Sequence, residues 1–101
     1  MALQINKKLT TDEGFEVSNA FAYLNIFILA PNSNWVNLSY YKSQQDWVDG
    51  KSPLNVSSLP NQVQTELTVQ EFWGQVALVV HEKCVAQIEQ VLGEDSVTII
   101  Q

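Results

Sequence analysis

The chain reads as an α+β domain: a mainly antiparallel β-sheet of about five strands, covered on one face by a C-terminal α-helix, plus one or two short helices. Three observations predict it. Apolar runs of strand length, broken by turn chemistry, recur through the first two thirds of the sequence. A single long stretch with helical periodicity follows over residues 75–92, and the β-branched run Val97-Thr98-Ile99-Ile100 comes after it. With 101 residues, the length allows one domain, 1–101.

Taken in order, Leu3, Ile5 and Leu9 alternate weakly and predict a short edge strand, where Lys7 and Lys8 would discourage open pairing. Thr11-Asp12-Glu13-Gly14 is a turn. Residues 19–29 form a strand that stops at Ala30-Pro31-Asn32-Ser33-Asn34, and residues 35–42 return as its hairpin partner. Ser43 to Gly50 reads as a short helix, with Ser43 as its cap and Gly50 closing it in the left-handed region. Lys51-Ser52-Pro53 restarts an extended course through Leu54 and Val56, and residues 57–61 form a loop. In residues 62–67, Val63, Thr65 and Leu67 share one face while Gln62, Gln64 and Glu66 share the other, which marks a half-buried strand. Thr68-Val69-Gln70-Glu71 has the spacing of a capping box and predicts a short helix through Trp73, bent at Gly74. The long helix then runs from Gln75 to Leu92 and ends at Gly93, before a strand in 95–101.

On a helical wheel, Ala77, Leu78, Val80, Cys84, Val85, Ile88, Val91 and Leu92 share one apolar arc, which must lie on the sheet. Val76 and Val79 fall among the polar residues instead. The hairpin carries a second anomaly. Ala20, Ala22, Leu24, Ile26 and Ile28 form one face of its first strand; Phe21, Tyr23, Asn25, Phe27 and Leu29 form the other. Both faces are apolar, so both need cover. Trp35 and Tyr41 extend the second face on the next strand. Either the N-terminal strand, the short helix with Trp47 and the loop around Leu59 fold over it, or another subunit does. Phe21, Tyr23, Phe27, Leu29, Trp35, Tyr41, Val76 and Val79 are therefore the candidate interaction residues.

Composition narrows the function. Five Lys and no Arg stand against eleven acidic residues, for a net charge of −6. Nucleic-acid and phosphate readers depend on guanidinium forks and basic stripes, so neither class is expected. No basic collar accompanies the aromatics, and the apolar stretch 26–30 is too short for a membrane span, so no membrane contact is expected. The first eight residues lack the apolar core of a secretory signal. A single cysteine, Cys84, excludes an internal disulfide.

Catalysis finds little support. His81 and Cys84 lie on one side of the helix and form the sole potentially nucleophilic pair, yet both read better as core residues. A pH-sensitive histidine at a subunit interface is the other use for His81. Two ligands on one helix leave a zinc site two short. Asp12, Glu13 and Glu16 lack the pattern of a calcium loop, and Gly14, Gly50, Gly74 and Gly93 are too scattered for a phosphate loop. No catalytic residue, metal or cofactor is expected.

The segment Tyr41-Lys42-Ser43-Gln44-Gln45-Asp46-Trp47-Val48-Asp49-Gly50-Lys51-Ser52-Pro53-Leu54 resembles a pattern in small structural-module proteins of tailed phages infecting Bacteroidota, the crAss-like phages among them. There a strand ending in Tyr-x-Ser leads to a short helix with an aromatic, then to Gly-Lys-x-Pro and an aliphatic. Asn19-Ala20-Phe21-Ala22-Tyr23-Leu24 and Leu67-Thr68-x-x-Glu71-Phe72 agree with it, while Trp73-Gly74 and the lack of arginine depart from it. The resemblance implies a non-enzymatic virion protein of the head, neck, tail or baseplate, assembled in the host cytoplasm. Its partners would be other virion proteins or copies of itself. The competing expectation is a small acidic adaptor or inhibitor of one protein partner.

Overall fold

The computed structural model describes residues 1–30, 33–74 and 76–100, with residues 28–30, 33, 69 and 72 described by backbone alone. Gln75, expected to open the long helix, and Pro31 and Asn32 of the hairpin loop lie outside the described residues. The elements in chain order are β1 (Ala2–Ile5), β2 (Leu9–Thr10), β3 (Glu16–Val17), β4 (Ala20–Ala30), β5 (Ser33–Tyr41), α1 (Gln44–Val48), β6 (Gln62–Thr65), α2 (Val69–Trp73), α3 (Val76–Leu92) and β7 (Val97–Ile100). The fold is α+β, with an antiparallel five-stranded sheet in the order β6-β5-β4-β1-β7 and a separate ribbon of β2 and β3.

The β4–β5 hairpin is the centre of the sheet and runs in register from Phe21 opposite Tyr41 to Ile28 opposite Asn34. Cross-strand neighbours share a face. Ala22, Leu24 and Ile26 therefore meet Tyr40, Leu38 and Val36 on the core side, where Leu3 and Ile5 of β1 and Val63 of β6 join them. α3 closes this core with Val80, Cys84 and Ile88, all fully buried. Each such aliphatic side chain contributes about 1.5–3 kcal/mol of burial before entropy is set against it.

Two expectations need correction. The first strand is interior, not an edge: β1 lies between β4 and β7. It ends at Ile5, because Leu3 and Ile5 fill the core while the lysines leave the sheet. Lys7 donates to the Leu92 carbonyl at 2.6 Å, at the negative end of α3, and Lys8 lies 3.6 Å from Glu16 across the ribbon. The same lysine explains Gly93, whose φ of +101° needs glycine and where a Cβ would sit 2.9 Å from Lys7 Nζ.

The buried arc of α3 is also displaced from the expected one. Val76 and Val79 pack against the core, and Ala77 and Val91 are exposed, while His81 is buried as expected. A single-stripe wheel assumes one flat support, whereas α3 touches α2, β6, β1 and β7. Other local expectations hold. Ser43 accepts from the Asp46 amide, and the Thr68–Glu71 capping box closes in both directions. Val63, Thr65 and Leu67 are buried beside exposed Gln62, Gln64 and Glu66.

Candidate interaction surface

Register places the other side chains of the sheet on an outer face. Gln4, Phe21 and Tyr41 form one row across β1, β4 and β5; Tyr23 and Ser39 form the next. Asn25, Asn37 and Gln62 follow, then Phe27, Trp35 and Gln64. Gln4 also faces Thr98, and Ala2 faces Ile100. No residue of the five strands is charged, on either face. For the core side that is ordinary. For an outer face it departs from the usual alternation, in which solvated positions carry charge.

This face is closed at one end and open at the other. At the closed end α1 lies against β4 and β5, and its half-buried Trp47 stacks on Tyr23 at 4.7 Å between ring centroids and meets Phe21 in a tilted contact at 5.5 Å. Phe21 is buried there, and Tyr23 and Tyr41 are half-buried. At the open end Phe27, 42 % exposed, stacks on half-buried Trp35 at 5.5 Å, beside exposed Asn25, Gln62 and Gln64. The side chain of Leu29 lies outside the described residues.

The expected cover is thus supplied by one of its three proposed pieces. Trp47 does fold over the second face. The N-terminal strand instead pairs edgewise with β4, and Leu59 is buried in the core with Val56, beneath a hydrogen bond from the Tyr40 hydroxyl to the Pro60 carbonyl. Of the candidate residues, Phe21, Tyr23, Phe27, Trp35 and Tyr41 come together on one face, while Val76 and Val79 lie with the core. The polar members Asn25, Asn37, Gln62 and Gln64 were not singled out from the sequence. Their shared signal was the want of charge in every strand, but only register joins them to Phe27 and Trp35.

The titratable groups serve structure. His81 is buried and its Nδ1–H donates to the Ala77 carbonyl at 2.6 Å, so an interface role for its ring does not fit this placement. Cys84 is fully buried, and burial pushes its thiol up to about 11. Burial, with a smaller contribution from Cys84, holds the Tyr40 hydroxyl well above its usual range. Asp12 and Glu13 are exposed and tie the β2–β3 turn to the segment after Pro53. Asp12 accepts from the Ser57 amide and hydroxyl, and Glu13 accepts from Asn55 Nδ2 at 2.8 Å. Those hydrogen bonds hold both carboxyls below their ordinary values. Beside this junction is a cleft of about 390 Å³ whose walls include Phe15, Val17, Leu54 and Lys42.

No family model, curated protein or solved structure matches the chain. Among the described residues no helix is long and apolar enough to cross a membrane, and no group of three potential metal ligands lies together.

Proposed function

We propose that the chain is a non-enzymatic structural subunit of a phage particle, working by packing its outer sheet face against other virion proteins or copies of itself. One observation carries the packing role: the open end of the outer face pairs half-exposed Phe27 and Trp35 with neutral amides, and no charge interrupts it. Charged residues are depleted and aromatic residues enriched at the cores of protein interfaces. The assignment to a phage particle rests on the resemblance carried by residues 41–54.

Mass spectrometry of purified particles tests the location, and mass photometry of the recombinant chain tests association. The expected result is presence in particles in many copies, with incorporation reduced at least tenfold by the double substitution F27S/W35S. A protein absent from particles overturns the virion assignment. A one-to-one complex with a single partner whose affinity falls steeply with salt supports the acidic adaptor instead.

A further inference from the structure

We propose that β7 is a self-pairing edge, through which two copies join their sheets across a two-fold axis centred on Thr98. The proposal deepens the packing role above and rests on it for its purpose, while its geometry comes from the ladder alone.

The Asn6 amide donates to the Ser96 carbonyl at 2.7 Å, continuing the register in which Gln4 faces Thr98 and Ala2 faces Ile100. In an antiparallel ladder, hydrogen-bonded and non-bonded pairs alternate. Thr98 and Ile100 therefore spend their backbone groups on β1, and Val97 and Ile99 turn theirs outward, to the side where the described sheet has no further strand. Such an edge is complementary to one thing, an extended strand. The strand Val-Thr-Ile-Ile is uncharged, β-branched and contains no proline.

Topology selects a second copy in the two-fold arrangement. The four antiparallel steps from β6 to β7 leave the two edge strands running in the same direction. With the outer faces kept on one side, head-to-tail joining of β7 to the next copy's β6 would need the weaker parallel ladder, whereas β7 against its own mate is antiparallel and closes as a dimer. One register uses all the outward groups: Val97 opposite the mate's Ile99, and Ile99 opposite the mate's Val97. It places the two Thr98 side chains, exposed on the outer face, directly across from each other. It also suits a chain of net charge −6. Asp95 lies three positions from the axis, so the two Asp95 residues stand about 20 Å apart along the strands, beyond the screening length of roughly 8 Å at physiological salt.

The test is charge swapping at Thr98, read by analytical ultracentrifugation at concentrations up to the order of 100 µM. Wild type should dimerise. T98K and T98D should each weaken the dimer at least tenfold while keeping the wild-type circular dichroism, and an equimolar mixture should restore it. Hydrogen exchange of wild type gives a second readout that needs no variant: the Val97 and Ile99 amides should gain protection as concentration rises. A wild type that stays monomeric, a dimer that both variants leave intact, or a mixture that fails to reassociate overturns the edge proposal. Presence in particles is a separate measurement, so failure of the edge and failure of the virion role are told apart.

Discussion

Replacing Trp47 by alanine tests whether the short helix α1 is held to the sheet by its one large aromatic. A five-residue helix is far below the length at which isolated helices persist, so tertiary contact must supply its stability. Trp47 is half-buried, stacks on Tyr23 and packs in a tilted contact against Phe21. A tryptophan buries about 200 Å² when covered; taking roughly three quarters of that at about 25 cal/mol per Å² gives about 4 kcal/mol as an upper value. A realistic unfolded reference and the entropy regained by a released helix lower this, and the two ring pairs raise it, leaving about 3 kcal/mol. For a domain of this size that is a large share of a total stability of about 5–15 kcal/mol. Urea denaturation followed by circular dichroism should show a loss of about 3 kcal/mol in W47A. Uncovering Phe21 would also extend the open aromatic face along the whole of β4, so binding of an apolar dye to the folded protein should increase. A loss below about 0.5 kcal/mol, with dye binding unchanged, would refute the claim that Trp47 closes this end of the sheet.

Three further outcomes follow from the polar groups. Asp12 and Glu13 have folded values below their unfolded ones, so their hydrogen bonds stabilise the ribbon junction above the unfolded values, and that stability is lost as pH falls through the folded ones. The protection of amides around Ser57, taken relative to their intrinsic exchange rates, should therefore fall on acidification below about pH 4, and D12N should remove much of that pH dependence. Cys84, its thiol raised from 9.0 to about 11, holds about 100-fold less thiolate than an exposed thiol at neutral pH, and it is buried besides. Labelling by a thiol reagent should then track unfolding; rapid labelling of the native chain would contradict this placement. His81 Nε2 is buried without a hydrogen-bond partner among the described residues, so H81L should leave stability within about 1 kcal/mol of wild type or raise it, whereas H81D should cost about 3 kcal/mol or more, both read from urea midpoints.

Much of this architecture was legible from local chemistry. The capping box at Thr68, the cap at Ser43, the alternation of residues 62–67 and the hairpin each depend on neighbours in sequence, and the structure realises each of them. What was misread depends on distant partners. Lys7 and Lys8 looked like edge guards because nothing local reveals that one will reach the end of α3 and the other Glu16. Val76 and Val79 were placed on a polar arc because a wheel has no knowledge of α2 and β6 beside the helix. The outer face was half legible: alternation grouped Phe21, Tyr23 and Phe27, while the amides that complete it, and the cover from Trp47, required the sheet order.

The charge distribution ties the face and the edge together. All sixteen charged residues lie outside the five strands of the main sheet, in the ribbon, the helices and the connecting segments. Low overall charge is therefore a partition and not a dilution. The net charge of −6 is borne by elements around the sheet, while the sheet keeps its outer face and its β7 edge neutral. A sheet meant to face water on one side ordinarily places lysine or glutamate outward and guards its edges with charge. Here neither device is used on β7, and on the outer face amides stand where charges would. Amides hydrogen-bond to a partner as readily as to water and carry no Born penalty when covered. A neutral face and a neutral edge on one sheet are thus surfaces that a protein partner could cover at low desolvation cost, and their position would set its approach: across the Phe27–Trp35 end of the face, or in line with β7.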